Sequence, residues 1–156
     1  MLCSEIMKRQ VISTTLDTTA AGAALLMKEQ QIGFLPVCDA TGRALGVVTD
    51  RDIALRVCAE ERNSSRTALN EIMTRTPICC KAASSVAQAE ALMLKHKTLR
   101  ILCVDAHDRV VGLVTLADVV HHQDPIRLAH FVRELTDRRF RICCDVSGDD
   151  FRYRQL

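Results

Sequence analysis

The chain has 156 residues, of which 48% are hydrophobic and 26% are charged, and its formal net charge is +2. This length suffices for one compact domain or two small subdomains that share a core, so folding needs neither disulfides nor a metal. The small net charge, the 3% of aromatic residues and the lack of tryptophan argue against binding to nucleic acid or to an anionic membrane.

The sequence carries no pattern of export or membrane anchoring. Its longest uncharged run, residues 18–27, is shorter than the ~18–20 apolar residues of a membrane span. The first ten residues lack the charged-then-apolar pattern of a signal peptide. We therefore expect a cytoplasmic protein that does not contact a membrane.

A shift of 66 residues aligns the chain with itself, without a gap, from position 5 to position 53. Several aligned pairs that are not identical keep an apolar residue opposite an apolar residue. The identities include Glu-Ile-Met at 5–7 and 71–73, Asp-Ala at 39–40 and 105–106, Arg43 with Arg109, Gly46 with Gly112, Val-Thr at 48–49 and 114–115, and Asp52 with Asp118. The chain is therefore a duplicated unit of roughly 50 residues, and such units bury their open faces against each other.

Each copy predicts the same order of elements, β-α-β-β-α. In the first copy, residues 11–12 are β-prone, and residues 20, 23, 24 and 27 give a helical apolar period entered through residues 17–19. A buried strand at 34–38, a turn at 39–42, a strand at 44–48 and a helix from about residue 50 follow. The second copy matches at 77–78, 86–93, 100–104, 106–108, 110–114 and from about 116. The predicted fold class is α/β (α+β), with two such repeats.

The pattern divides the chain into three parts. Residues 1–62 are the first repeat with a polar linker at 59–66, residues 63–122 are the second repeat, and residues 123–156 follow a break at 123–125. This last part begins with one amphipathic helix, predicted from the spacing of Ile126, Ala129, Phe131, Val132 and Leu135. Residues 139–156 show no clear period.

Eight cysteines, at 3, 38, 58, 79, 80, 103, 143 and 144, form no C-x-x-C motif. Cys38, Cys58 and Cys103 lie in apolar segments, which favours buried free thiols that pack as small hydrophobic side chains. The alternative is a cysteine-based redox or metal sensor at the adjacent pairs 79–80 and 143–144, where a local disulfide would be strained.

The recurring Thr-x-x-Asp, at Thr49 and Asp52 and again at Thr115 and Asp118, has two compatible interpretations. One is a capping box at the start of a helix, which stabilises that helix and needs no ligand. The other is a ribose-phosphate site, in which the carboxylate accepts bonds from ribose hydroxyls and the helix start favours phosphate. No spaced catalytic set, P-loop or GxGxxG occurs, so we do not expect an enzyme.

The gapless duplication, the Glu-Ile-Met openings, the LPVCD strand and the endings GVVTDRD and GLVTLAD resemble a tandem pair of CBS domains, a Bateman module. The resemblance covers residues 3 to about 122 and is nearest to small bacterial stand-alone two-CBS proteins, including hypoxic-response types. It implies two repeats about a pseudo-twofold axis, no catalysis, and a regulatory module that binds an adenosine-containing ligand (AMP, ADP, ATP, NAD(H) or S-adenosylmethionine). It also implies a protein partner and a homodimer. The dimer would cover apolar faces at Ile53, Leu55, Val57, Val119 and Val120.

The resemblance further implies two clefts between the repeats, each built from the start of one repeat and the Thr-x-x-Asp of the other. One would combine Val11, Ile12, Ile32, Gly33, Arg100, Thr115, Ala117 and Asp118. The other would combine Pro77, Ile78, Thr98, Leu99, Phe34, Thr49, Arg51 and Asp52. Arg100 could meet a phosphate in the first cleft whereas its counterpart Phe34 could not, and Arg51 offers the second cleft a charge that Ala117 lacks. We therefore expect the two sites to differ in affinity or ligand.

Overall fold

A computed structural model describes residues 1–136, and most of its elements follow the duplicated order. The mixed α/β fold with two repeats is confirmed, and the paired strands at 34–38 and 100–104 are found as predicted. The bounds are α1 Cys3–Ile6, α2 Ala20–Gln30, β1 Phe34–Cys38, β2 Ala44–Thr49, α3 Asp50–Ile53 continuing as a π-helical turn Ala54–Cys58, α4 Leu69–Ile72, β3 Cys79–Lys81, α5 Val86–His96, β4 Arg100–Val104, β5 Val110–Thr115, α6 Leu116–Val120 and α7 Pro125–Thr136.

Each copy has a hairpin as the centre of its sheet. In the first copy β1 and β2 pair antiparallel, and in the second β4 and β5 pair in the same way while β3 runs parallel to β4. The helix of each copy starts at a capped residue, Thr19 before α2 and Ser85 before α5, whose hydroxyl accepts a backbone N–H from the first turn.

The predicted strand at residues 11–12 does not form, which corrects the expected order in the first copy. There the strand is reduced to one bridge, between Thr14 and Val37. In the second copy the N–H of Leu102 donates to the carbonyl of Ile78 (3.1 Å). The aligned residue of the first copy is Pro36, which has no N–H to donate. The parallel pairing therefore cannot extend to residue 12.

The opening helix of each copy packs against the core of the other copy. Cys3, Ile6 and Met7 belong to the core formed by the second copy's sheet and α5. Conversely, Leu69, Ile72 and Met73 belong to the core formed by β1, β2 and α2. Neither core is complete without a segment from the other half of the chain. The predicted division of the chain between residues 62 and 63 stays a prediction.

This exchange explains the glycine that precedes Val-Val-Thr and Leu-Val-Thr. A Cβ on Gly46 would lie 2.6 Å from Sδ of Met73 and 2.8 Å from the carbonyl oxygen of Thr74. A Cβ on Gly112 would collide with the side chain of Met7. Each glycine therefore makes room for the methionine of the other copy's Glu-Ile-Met.

Residues related by the 66-residue shift meet one another between the copies, as a pseudo-twofold axis requires. Arg43 forms an isolated antiparallel bridge with Arg109. We call this boundary between the two copies the seam. At a second place on it, Cζ of Arg100 lies 5.7 Å from the centroid of the Phe34 ring. This distance is typical of a cation–π contact.

The predicted C-terminal helix is present as α7. Leu135 is buried in the second core and Phe131 packs against that core, whereas Ile126 is exposed. The predictions made for residues 139–156, including the pair Cys143 and Cys144, lie outside the described residues. Within residues 1–136, every helix is too short or too polar to cross a membrane.

Candidate functional site

The two Thr-x-x-Asp motifs form the same hydrogen-bonded box at the ends of β2 and β5. The hydroxyl of Thr49 donates to Oδ2 of Asp52 (2.7 Å) and the hydroxyl of Thr115 donates to Oδ2 of Asp118 (2.6 Å). The threonine N–H donates to the same oxygen, and the aspartate N–H donates back to the threonine hydroxyl in each copy. The capping interpretation is therefore confirmed for both copies, and it leaves Oδ1 of each aspartate outside the box.

The two boxes differ in what faces that second oxygen. Oδ1 of Asp52 lies 3.3 Å from the guanidinium of Arg56, which is one turn later on the same helix. Oδ1 of Asp118 lies 4.0 Å from Nζ of Lys8, which the other half of the chain supplies. Asp52 and Arg56 both belong to the first copy. Asp118 and Lys8 belong to different copies, so of the two aspartates only Asp118 links the copies.

A cleft of about 460 Å³ opens between the two copies beside Asp118. Its size is within the ~300–1,000 Å³ range of small-molecule sites. The cleft contains all of the first predicted set except Asp118, whose carboxylate is bound to the lining residue Thr115. The lining residues are Lys8, Gln10, Val11, Ile12, Gln31, Ile32, Gly33, Phe34, Pro36, Leu99, Arg100, Leu113, Thr115, Leu116 and Ala117.

The second predicted set is divided by the structure. Phe34 and Leu99 line the cleft just described instead of a separate one. Arg51 is exposed, and its N–H donates to the carboxylate of Asp50 (2.8 Å). For Pro77, Ile78, Thr98, Thr49, Arg51 and Asp52, a role in a second ligand site remains a prediction.

Lys8 is the main cleft residue that sequence reasoning missed. Its backbone is fixed by the second copy, because its N–H and carbonyl exchange hydrogen bonds with Leu113 (2.9 Å each). Lys8 directly follows the first Glu-Ile-Met, whereas Thr74 follows the second. This difference between otherwise matching openings was a signal that could have identified it.

The cleft combines apolar walls with two basic side chains. Val11, Ile12, Ile32 and the ring of Phe34 offer flat or aliphatic surface. Lys8 and Arg100 provide two cationic side chains among the lining residues. Such a cleft can hold a planar apolar group and an anionic group in one molecule.

Of the five side chains expected on an outer apolar face, three pack into the cores and two are exposed. Val57 and Val119, expected on an outer apolar face, are buried in the two cores, and Ile53 packs against the first core. Leu55 and Val120 are exposed at 50% and 38%. Only this pair therefore remains of the face expected to need cover.

The cysteines also depart from expectation in one case. Cys38 and Cys103 are buried as predicted, but Cys58 is exposed because it ends the π-helical turn. Cys79 and Cys80 are consecutive in β3, where successive side chains point to opposite faces. Cys80 is buried and Cys79 is half-buried, and a sensor role for the adjacent pair stays a prediction.

The CBS domain family model matches residues 3–58 and 69–124. The CBS domain-containing protein YhcV of Bacillus subtilis is 34% identical over 119 residues, which are 76% of this chain and 83% of that protein. Hypoxic response protein 1 of Mycobacterium tuberculosis is 29% identical over 131 residues, or 84% of this chain and 91% of that protein.

Solved structures share the arrangement of the two copies. The crystal structure of Hypoxic Response Protein I with two coordinated zinc ions superposes with a TM-score of 0.72 at 29% identity, over 80% of this chain and 100% of that one. The CBS domain pair of protein MJ0100, in complex with 5-methylthioadenosine and S-adenosyl-L-methionine, superposes with a TM-score of 0.69 at 28% identity. That match covers 78% of this chain and 98% of the other.

Proposed function

The chain belongs to the CBS domain family, and we propose that the cleft beside Asp118 binds an adenosine-containing ligand whose presence is signalled to a protein partner. The family model matches both copies, so the chain contains a CBS pair, and such a pair is a regulatory module. The observation that carries the proposal is the cleft itself, in which apolar walls, a Thr-Asp box and two cations come together.

The proposed ligand pose follows from the chemistry of the walls. The adenine lies between the aliphatic side chains of Val11, Ile12 and Ile32. The ribose lies at Thr115, where Oδ1 of Asp118 can accept a hydroxyl bond because only Oδ2 is used by the box. A 5′-phosphate then lies toward Lys8 and Arg100, which bind it by charge-assisted hydrogen bonds.

The charge of the cleft separates the candidate ligands. AMP, ADP, ATP and NAD(H) carry phosphates that two cations attract, whereas S-adenosylmethionine carries a positive sulfonium in place of the phosphate. The MJ0100 pair supports an adenosine-containing ligand, since its complex contains S-adenosyl-L-methionine and 5-methylthioadenosine. For this chain we propose a phosphate-bearing ligand, because Lys8 and Arg100 both line the cleft. We further propose that the protein is cytoplasmic and has no catalytic activity.

Titration calorimetry with AMP, adenosine and S-adenosylmethionine tests this proposal. We expect Asp118→Asn to weaken AMP binding ten- to a hundredfold, because a hydrogen bond to a charged group contributes roughly 1.5–3 kcal/mol. Asp52→Asn is the matched control. It changes the same box in the first copy, but its threonine, Thr49, does not line this cleft as Thr115 does, so AMP affinity there should stay unchanged.

Melting of the same two variants separates ligand binding from capping. Both variants weaken one capping box, so each should lower the free energy of unfolding by under about 1 kcal/mol. Equal affinity of the parent and Asp118→Asn for every bound nucleotide would show that the ribose assignment is wrong. If no adenosine compound binds the parent, the proposed function fails as a whole.

We also propose that the chain forms a homodimer, in which the exposed side chains of Leu55 and Val120 become covered. Exposed apolar residues on a regulatory module favour a symmetric contact that covers them. Light scattering at tens of micromolar should give twice the mass of one chain. A single species with the mass of one chain, at the same concentration, contradicts the dimer.

A further inference from the structure

Three buried thiols converge in only one of the two cores. Cys3 comes from α1, Cys80 from β3 and Cys103 from β4, and all three side chains are buried. Sγ of Cys80 lies 3.8 Å from Sγ of Cys3 and 3.8 Å from Sγ of Cys103. The three sulfur atoms all lie within 4.8 Å of one another. We name this group the thiol cluster.

The fold does not require this cluster, because the other copy builds the same junction without sulfur. The 66-residue shift relates Cys80 and Cys103 to Thr14 and Val37, which form the equivalent parallel bridge. The same shift relates Cys3 to Leu69. The N–H of Cys3 donates to the carbonyl of Ser84 (2.8 Å), and the N–H of Leu69 donates to the carbonyl of Thr18 (2.9 Å), so the two residues make equivalent hydrogen bonds. The thiols are therefore a feature of one copy, beyond what core packing demands.

The spacing of the sulfur atoms matches a metal site. A metal–thiolate bond of about 2.3 Å places sulfur atoms ~3.8 Å apart in a tetrahedral site and ~4.0 Å apart in a trigonal one. Two of the three separations in the cluster are 3.8 Å. We propose that Cys3, Cys80 and Cys103 together bind one soft metal ion through their sulfur atoms, and that copper(I) is the ion they fit.

The donor set distinguishes copper(I) from zinc. Within residues 1–136 no carboxylate or imidazole ligand atom joins the three sulfurs to make a fourth donor. Structural zinc sites are closed by four protein ligands, whereas thiolates are among the soft ligands that copper(I) prefers and three of them complete its coordination. A site of three sulfur atoms in an apolar core therefore favours copper(I).

Binding exchanges protons for metal. Burial raises the pKa of Cys3 to about 12, so this thiol is protonated in the metal-free cluster. Each sulfur that becomes a thiolate ligand releases one proton to solvent, and the oxidation state of the metal does not change. Sγ of Cys3 lies 3.5 Å from the carbonyl of Ser85, the residue that caps α5. That contact is a hydrogen bond from the thiol to the carbonyl oxygen, and it is lost when Cys3 becomes a thiolate ligand.

The N-terminal segment provides a route for the metal. Helix α1 has only four residues, and its start is attached to the second copy by the N–H groups of Cys3 and Ser4, which donate to Ser84 and Ala82 (2.8 Å each). Local opening of so short a segment costs far less than unfolding of the whole chain. Such opening separates Cys3 from Cys80 and Cys103 and exposes the cluster.

Copper(I) titration of the reduced full-length chain, under anaerobic conditions and against a colorimetric copper(I) chelator, tests the proposal. We expect one equivalent to be withheld from the chelator, with thiolate-to-copper absorption in the near ultraviolet. X-ray absorption should show about three sulfur neighbours at ~2.3 Å. The triple variant Cys3→Leu, Cys80→Thr, Cys103→Val introduces the residues of the first copy, so it should fold and should not bind copper.

Two further variants keep the outcome decisive. Cys38→Val replaces a buried cysteine outside the cluster by the residue aligned with it, Val104, and should keep full copper binding. Should the triple variant fail to fold, Cys103→Val alone should reduce the sulfur neighbours in the absorption spectrum by one. Copper binding that survives in the folded triple variant overturns the proposal. So does a parent that loses all copper to the chelator, binds zinc in preference, or contains a Cys80–Cys103 disulfide after reduction.

Discussion

The two copies bury similar residues in their cores but differ where their surfaces meet. Arg100 of the second copy is aligned with Phe34 of the first, and Lys8 of the first is aligned with Thr74 of the second. Because of the exchange across the seam, both basic residues lie at the same cleft. Duplication thus supplies two equivalent surfaces, and substitutions at a few seam positions give one of them the charge that an anionic ligand needs.

The largest expected effect comes from breaking the seam at its glycines. Gly46→Ala should lower the free energy of unfolding by about 3 kcal/mol, because the new methyl group meets the rigid backbone carbonyl of Thr74 as well as Met73. Gly112→Ala should cost only about 1 kcal/mol, since the side chain of Met7 can move. Urea denaturation measures both values.

A glycine away from the seam provides the control for this pair. Gly22 lies in α2, and a Cβ there would have only ordinary contacts, the nearest at 3.4 Å. Gly22→Ala should therefore raise stability by roughly 0.5–1 kcal/mol through helix propensity. Equal losses at Gly46 and Gly112 would contradict the different surroundings of the two seam glycines.

Removal of the Arg100 side chain should make the aligned seam surfaces of the two copies more alike, because it takes away one of the two positive charges at the cleft. Arg100→Ala is expected to weaken AMP binding about tenfold and to leave adenosine binding unchanged, since only AMP has a phosphate for the guanidinium. Calorimetric titration of the two ligands measures the difference. Arg51→Ala is the control because Arg51 is exposed and lies outside the lining of the cleft. An equal loss for both ligands would place Arg100 away from the phosphate.

The two cores should also respond differently to alkaline pH. Burial raises the pKa of Cys3 to about 12, and the thiol of Cys103 together with burial raises the pKa of Cys80. An unfolded thiol titrates near pH ~8.5, so this contribution to stability is complete below that pH and is lost as pH rises toward the folded values. Above pH 9 we expect each of these two thiols to lower the free energy of unfolding by about 1.4 kcal/mol per pH unit.

Denaturation of chelator-treated, reduced protein between pH 8 and pH 10 measures this slope. The triple variant Cys3→Leu, Cys80→Thr, Cys103→Val makes the two cores alike and should show a shallower slope. If the slope of that variant matches the parent, groups other than the thiol cluster cause the alkaline loss.

The smallest effect is expected beyond both copies. Truncation after Arg138 retains α7, whose Leu135 and Phe131 contact the second core. We expect a soluble module whose unfolding free energy changes by less than ~0.5 kcal/mol, as measured by urea denaturation. A truncated chain that aggregates or melts without cooperativity would show that the removed residues support the fold.

Local patterns in the sequence predicted the elements but not how the halves interlock. The apolar period ending at Met27 and the run from Phe34 to Cys38 correctly predicted α2 and β1, because periodicity reports local burial. The loss of the first strand depended on one missing N–H at Pro36, which matters only once its partner strand is known. The thiol cluster was missed for a similar reason. Its members are at positions 3, 80 and 103, and only the exchange of α1 brings them together.

The exchanged opening helices also bear on how the chain is made. A ribosome releases Cys3, Ile6 and Met7 first, yet the core that buries them is built from residues 80 to 135. The first copy in turn lacks Leu69, Ile72 and Met73 until the second copy begins to emerge. Many proteins fold domain by domain during synthesis, but here the nascent first copy has neither a finished core nor a place for its own opening helix. The two copies therefore mature together, after residue 135 has left the ribosome.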